Sequence, residues 1–346
     1  LSLFVTVAVV DDLSALSVNG PGIALVAIGL GLLGICHLPA PFWLRASLIG
    51  AVGAALTVVR ANYHWFPALE PMWAVLASMF IFRIMVYLYD LKNHNAEFSL
   101  ARGMSYFFML PNACFPLFPV VDYKTYCDTY YNDDAVRIYQ SGVKWMLRGI
   151  MHLLLYRLVY HYGLLNIPGV RDAGDGAYFM TATYPLYLKG AGRFHVIVGL
   201  LHMFGFNLPE THHLYLLASS FTDFWRRINI YWKDFIMKLF FYPAFFALKR
   251  LGTVKAIAVG TLIAFFATWL LHSWQWFWFR GRFLFTWQDI AFWFILALLV
   301  LVNAVIEAVY GRRRTPAVKK FGVRERLVIG LKTAGTFVVI CTLWTL

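Results

Sequence analysis

Charge is what this 346-residue sequence has least of: 14% of its residues are Asp, Glu, Lys or Arg, and only 17 are acidic. Soluble domains carry about 25% charged residues, so an ordinary water-soluble fold is excluded. Disorder is excluded with it, because disordered chains are poor in apolar residues. Cysteine is equally scarce. Cys36, Cys114, Cys127 and Cys341 show neither a CxxC pair nor metal-ligand spacing, which rules out a disulfide scaffold and leaves reduced packing roles in or beside apolar runs. There is no Gly-rich phosphate loop and no dinucleotide fingerprint. A fixed-period repeat of the kind left by tandem transporter halves is also missing. The first segment lacks a basic n-region, so no cleavable signal is expected; the chain starts at Leu1, and both ends lie inside apolar stretches.

Apolar residues make up 61% of the sequence and aromatic residues 18%, and the mean hydropathy is +0.65. The apolar runs are continuous, as in Ile290–Val302, whereas outer-membrane strands alternate apolar and polar residues. Helices are the remaining element that satisfies its own backbone in lipid. The expected fold is therefore an all-α polytopic membrane protein, a single integral-membrane domain over residues 1–346 with about 9–11 spans. Spans are predicted near 1–18 (interrupted by Asp11 and Asp12), 21–38, 42–59, 71–91, 103–121 and 143–160. Others follow near 178–206, 235–248, 256–279, 289–310 and 326–346. The stretch 178–206 contains Pro185 and Lys189 and is expected to be broken or re-entrant.

The net charge of +13 is concentrated in two places. Segment 222–255 is net +5 and segment 311–326 net +6, between them eleven of the thirteen excess charges. The positive-inside rule makes both cytoplasmic, and the two spans between them are the even number that a shared side requires. In a chain this apolar, such clusters point to contact with anionic membrane lipid rather than to nucleic acid.

Two polar clusters stand out. The first is Ser220-Phe221-Thr222-Asp223-Phe224-Trp225-Arg226-Arg227-Ile228-Asn229-Ile230, preceded by Phe206-Asn207-Leu208-Pro209-Glu210. Phe221, Phe224, Trp225 and Ile228 follow helical spacing, with Asp223, Arg226 and Arg227 on the other face. Such a stretch reads either as an interfacial helix anchored by Trp and Arg or as a cytoplasmic funnel whose arginines hold an anionic donor. The second cluster, Thr268 to Trp276, places His272 roughly 24 Å along a helix beyond Lys255, past the membrane midplane. An ionisable group at that depth is either a neutral histidine bonded between helices or a functional base.

Other residues carry weaker signals. His152 and His161, near Arg148 and Arg157, are expected to snorkel to lipid headgroups. The adjacent His212 and His213 diverge on a helix and lack metal spacing. Arg83 needs a buried partner, and Trp274, Trp276 and Trp278 read as an interfacial belt.

The run from Gly205 to Ile230 resembles the bacterial membrane-bound O-acyltransferase (MBOAT) family, nearest its alginate O-acetylation and teichoic-acid D-alanylation branches. That family's pattern is a Gly-Phe stretch with Asn and Pro, then Ser with a Phe-Trp-Arg-Arg block, then a distant Leu-Trp-His-Gly. Here it reads Gly205-Phe206-Asn207-Leu208-Pro209, then Ser220 with Phe224-Trp225-Arg226-Arg227, then Leu271-His272-Ser273. Phe108-Met109-Leu110-Pro111-Asn112, with Pro116, Pro119 and Asp122-Tyr123, looks like the family's proline-rich re-entrant region. The resemblance covers roughly residues 100–310. Asn229 stands where the alginate branch carries His, and Ser273 where Gly is usual.

The resemblance implies a helical bundle with re-entrant segments around a central tunnel, in the inner (cytoplasmic) membrane. It implies that His272 is the general base and that Asn229 orients or stabilises the acyl carbonyl. Asp223, Trp225, Arg226, Arg227, Trp269 and Ser273 would then contact substrate. No metal or redox cofactor is implied; the donor is a thioester, acyl-CoA or an acyl-carrier, and the group, most simply acetyl, goes to a hydroxyl of an envelope or secreted glycan. A separate extracytoplasmic acyltransferase partner is implied by the family. Acyl or D-alanyl transfer from a carrier protein, lysolipid acylation, and an inactive transporter or lipid-binding scaffold are the alternatives.

Overall fold

In a computed structural model, residues 20–76, 82–93, 99–108, 121–163, 169–311 and 322–345 are described. The expected span at 1–18 with Asp11 and Asp12, most of the proline-rich stretch, Cys114, and the basic residues from Arg312 to Lys320 lie outside these. The elements are α1 (Pro21–Cys36), α2 (Phe42–Ala61), α3 (Glu70–Leu76), α4 (Phe82–Lys92) and α5 (Leu100–Phe108). They continue as α6 (Tyr123–Asp128), α7 (Ala135–Leu158), α8 (Ala173–Thr183), α9 (Leu188–Met203) and α10 (Phe221–Arg227). The last five are α11 (Ile230–Ile236), α12 (Tyr242–Leu248), α13 (Thr253–Arg280), α14 (Trp287–Tyr310) and α15 (Val323–Trp344). No strand occurs among the described residues, only an isolated bridge between Tyr130 and Phe206.

Four helices, α2, α13, α14 and α15, are long and apolar enough to cross a membrane. At 1.5 Å per residue they are about 30 Å or longer, the thickness of the hydrocarbon layer. Their outward residues are apolar too: α14 exposes Trp287, Phe294, Val302 and Val309. In water such a face would be an aggregation liability; against lipid it has no cost. The molecule is thus an all-α membrane protein. Several other expected spans take a different form. The 143–160 stretch belongs to a 24-residue helix that carries Arg137, Lys144, Arg148 and Arg157, and 235–248 is divided by a π-helical turn, Met237–Phe241. The break expected at Pro185 is present: α8 ends at Thr183, a 3-10 turn covers Tyr184–Tyr187, and α9 resumes at Leu188. Proline removes an amide donor and clashes with the preceding turn, which is why the helix cannot run through.

The chain divides into two compact units, with boundaries inside α7, α9 and α13. Unit 1 takes the chain up to Lys144, Ile197–Leu208 and His272–Leu284. Its interior is aromatic, with Tyr87, Tyr106, Tyr123 and Phe107 meeting edge to face around Arg83. The Arg83 guanidinium lies 5.2 Å from the Tyr106 ring centroid and donates to the Tyr106 carbonyl at 2.7 Å, so this buried cation is built into the packing. The tryptophan belt is corrected in part. Trp276 faces outward, but Trp278 is buried against Trp73, with ring centroids 5.7 Å apart. Gly205 has φ +86, and a Cβ there would collide with the Tyr131 ring, whose own amide donates to the Gly205 carbonyl at 2.8 Å. Only glycine fits that turn.

Unit 2 takes Trp145–Val196, Pro209–Leu271 and Phe285–Leu346. Its core gathers Tyr184, Phe224, Phe265, Leu296 and Ile340, from five separate stretches of the chain. Helix α10 packs on α14, and α8 on α15. Among the described cysteines, Cys36, Cys127 and Cys341 are free thiols, and Cys36 and Cys341 are buried as packing residues.

Candidate functional site

The segment that carries the arginines folds as its sequence dictates. Ser220 caps α10, its Oγ accepting the Asp223 amide at 3.2 Å, while Asp223 Oδ2 takes the Ser219 amide at 3.1 Å. Phe224 and Ile228 turn into the core, and Trp225 packs on Phe265 of α13, with centroids 4.7 Å apart. The polar face is engaged rather than left to solvent. Arg226 Nη2 bonds Glu307 Oε2 on α14 at 2.8 Å, and Arg227 Nε bonds Asp223 Oδ1 at 2.9 Å. Thr222 Oγ1 also donates to Glu307, and Asn303 of α14 accepts the Phe221 amide at 3.0 Å. Each arginine therefore has its own carboxylate, and an anionic donor would join a compensated network rather than meet two bare cations.

Asn229 adopts the left-handed conformation (φ 38, ψ 63) and caps α11, its Oδ1 accepting the Trp232 amide at 3.4 Å. The backbone on either side of it is tied to one loop: the His213 amide donates to the Arg227 carbonyl (2.9 Å) and the Ile230 amide to the Thr211 carbonyl (2.7 Å). Asn tolerates this region because its short polar side chain bonds locally. Alanine at 229 is expected to lose about 1 kcal/mol for the cap and about 1–2 kcal/mol for the left-handed backbone. Glycine restores the backbone freedom at a cost of a few tenths of a kcal/mol. Thermal melting of Asn229→Ala and Asn229→Gly checks this; equal melting temperatures would refute the conformational role.

Trp269 donates from Nε1 to Asp289 Oδ2 at 2.7 Å, joining α13 to the start of α14. Buried Ser273 donates to the Leu284 carbonyl at 2.9 Å. His272 is half-buried on α13, nineteen residues past its first residue Thr253. Asp223, Trp225, Arg226, Arg227, Asn229 and Trp269 belong to unit 2, whereas His272 and Ser273 belong to unit 1.

Unit 2 also holds a cluster the sequence did not reveal. Helices α7 and α9 run antiparallel and touch through glycine: a Cβ on Gly149 would lie 2.7 Å from the Gly192 carbonyl and 2.8 Å from the Val196 amide nitrogen. Three residues beyond each glycine is a histidine. Helical side chains tilt toward the N-terminus, so on antiparallel helices His152 and His195 lean toward each other over the glycine contact, their rings 5.0 Å apart. His152 therefore turns inward, correcting the expectation that it snorkels to headgroups. Trp145 stacks on His195 at 5.2 Å, and His212 approaches from the loop at 5.7 Å. His195 is 1% exposed and His212 2%. His212 lies within hydrogen-bonding distance of the Tyr187 hydroxyl (3.0 Å) and Thr211 Oγ1 (3.1 Å). Burial, reinforced by the neighbouring imidazoles, holds His212 well below the usual imidazole range. Neither His195 ring nitrogen reaches a partner at bonding geometry, although the His212 main chain lies alongside.

Outside the cluster, His213 and Arg148 both pair with Glu210, at 2.9 and 3.2 Å. The adjacent histidines do diverge, one inward and one outward. Gly-x-x-His occurs four times, at Gly34–His37, Gly149–His152, Gly192–His195 and Gly199–His202, so the pattern alone does not single out the two copies that meet here. Among the described residues, no group of three or more His, Cys, Asp or Glu side chains is arranged to hold a metal ion. Compared with known proteins, the chain matches no protein-family model and no curated protein.

Proposed function

We propose that this chain is a multi-pass O-acyltransferase of the MBOAT type in the bacterial inner membrane, with segments 222–255 and 311–326 cytoplasmic. The observation that carries the reading is that Trp225, in the Phe-Trp-Arg-Arg block, packs on Phe265 of the same apolar helix that bears His272. Under this reading a tunnel through a helical bundle with re-entrant segments brings donor and acceptor together. His272 removes the proton of an acceptor hydroxyl, and the oxygen attacks the thioester carbonyl. The tetrahedral intermediate collapses to the ester, and the departing thiolate takes the proton from the imidazolium. Asn229 Nδ2 is the donor suited to the developing oxyanion. Arg226 and Arg227 meet the donor's negative charge, and Trp225, Trp269, Asp223 and Ser273 shape its surroundings. The donor is acyl-CoA or an acyl-carrier thioester, the acyl group acetyl, and the acceptor an envelope or secreted glycan, directly or through an extracytoplasmic partner protein.

Mass spectrometry of ester groups on envelope glycans and lipids tests it, in wild type, a deletion strain, and the deletion carrying His272→Ala. An ester absent from the deletion and not restored by His272→Ala supports the reading and names the acceptor. D-Alanyl esters or acylated lysolipids would redirect it to those substrates. An ester restored by His272→Ala overturns it.

A further inference from the structure

The three histidines are closely spaced, His195 and His212 buried and His152 half-buried, with no carboxylate among them. His152 and His195 are held ring to ring by the Gly149–Gly192 contact, and His212 completes the row. The titratable and charged groups around the row are few. Helix α7 brings Arg148, whose guanidinium lies 4.7 Å from the Trp145 ring centroid; α7 and α9 together bring Tyr156 with Lys189 over its ring. The 3-10 turn brings Tyr187, and the loop brings Tyr215, Glu210 and His213. The carboxylate that the loop brings, Glu210, is already shared by Arg148 and His213. A proton on His195 or His212 would therefore be a buried charge without a counter-ion, and protons on His195 and either neighbouring ring would repel across 5–6 Å.

His212 also sits between the two residues that bond the backbone on either side of Asn229: Thr211 accepts from Ile230 and His213 donates to Arg227. Whatever displaces His212 displaces that ladder.

We propose that His152, His195 and His212 form a proton-operated latch. With neutral imidazoles it holds the loop from Pro209 to His213, and through it the Arg227–Ile230 backbone, against α7 and α9; proton uptake by the cluster releases them. The sign follows from linkage. Imidazoles in an opened, hydrated loop titrate near their ordinary value of about 6.5, whereas the closed cluster resists protonation. The open form binds more protons, so the latch is secure above about pH 6.5 and loosens as pH falls below it. Each proton taken up on opening multiplies the opening constant by about ten per pH unit. The latch stands on the histidine geometry alone and goes beyond the acyl-transfer reading; only its effect on turnover would depend on that reading.

Hydrogen exchange of the detergent-solubilised chain, followed by mass spectrometry of peptides spanning 209–231, tests it at pH 7.5, 6.5 and 5.5 after correction for intrinsic exchange rates. Wild type is expected to lose protection by about twofold per titrating histidine from pH 7.5 to 6.5 and by about fivefold per titrating histidine from 6.5 to 5.5, with α13 peptides unaffected. His195→Phe keeps the ring stack on Trp145 but removes one titrating group, so its fall from pH 6.5 to 5.5 is expected to be about fivefold smaller. His152→Gln serves as the second variant if His195→Phe does not fold. Flat protection in wild type, an equal fall in a folded variant, or simultaneous loss of protection in α13 would each overturn the latch. No turnover is measured, so these outcomes leave the acyltransferase reading to its own test.

Discussion

His272→Ala is expected to lower ester formation by about 10²–10⁴-fold while leaving the protein folded. That range is the usual contribution of a positioned general base. The residue is half-buried on a 28-residue helix, and alanine is the best helix former, so the backbone tolerates the change. Histidine is the side chain whose chemistry suits proton acceptance near pH 7, and an ionisable residue within a membrane helix is a functional-site candidate. The measurement is the rate of acyl transfer from a labelled thioester in reconstituted vesicles, with the elution profile from a sizing column as the control for folding. His272→Gln, which keeps hydrogen bonding but not basicity, is expected to be equally impaired. A transporter or lipid-binding scaffold would instead be indifferent to both changes, and unimpaired transfer by His272→Ala would refute the assignment.

The second large effect concerns stability. Gly149→Ala is expected to destabilise the folded state by about 1–3 kcal/mol or more, the range for overpacking a close contact. The added methyl would lie 2.7 Å from the Gly192 carbonyl and 2.7 Å from a Val196 methyl. Backbone lies on that side, so no side-chain rotation relieves it, and α7 and α9 must separate. Small residues at helix contacts in membranes allow this approach. The natural control is Gly50→Ala on α2, where a Cβ meets nothing within 4 Å and the substitution is expected to be neutral or mildly stabilising. Thermal unfolding in detergent, followed by circular dichroism, compares the two. Indistinguishable melting curves would show that the glycine contact does not hold the helices together. Because the same contact sets the spacing of His152 and His195, Gly149→Ala should also blunt the pH response of the 209–231 peptides.

The site residues were unequally legible in the sequence. Asp223, Trp225, Arg226, Arg227 and Asn229 are consecutive or nearly so, and the helix that carries the first four follows from the spacing of the apolar residues; its Ser220 cap was a finding of the structure. Their partners did not follow. Glu307 is 81 residues from Arg226, and nothing in the local pattern distinguishes a paired arginine from a free one. Asn229 looked like a chemical group standing where histidine is usual; its left-handed backbone adds a conformational reason for asparagine there.

What the sequence determined by itself was the class and some of the local structure: an all-α membrane protein, with a helix broken at Pro185 and a helical stretch carrying Phe221, Phe224 and Trp225. These are consequences of composition and of hydrogen bonds that close within four residues, so a short window contains the whole cause. The tertiary structure alone decided that Trp278 turns inward, that the two arginines are neutralised, and that three histidines separated by 43 and 17 positions share one row, two of them buried. Those outcomes depend on which helix faces meet. At α7 and α9 that was set by two glycines whose missing side chains let the backbones touch, a steric fit between distant residues that no local periodicity records.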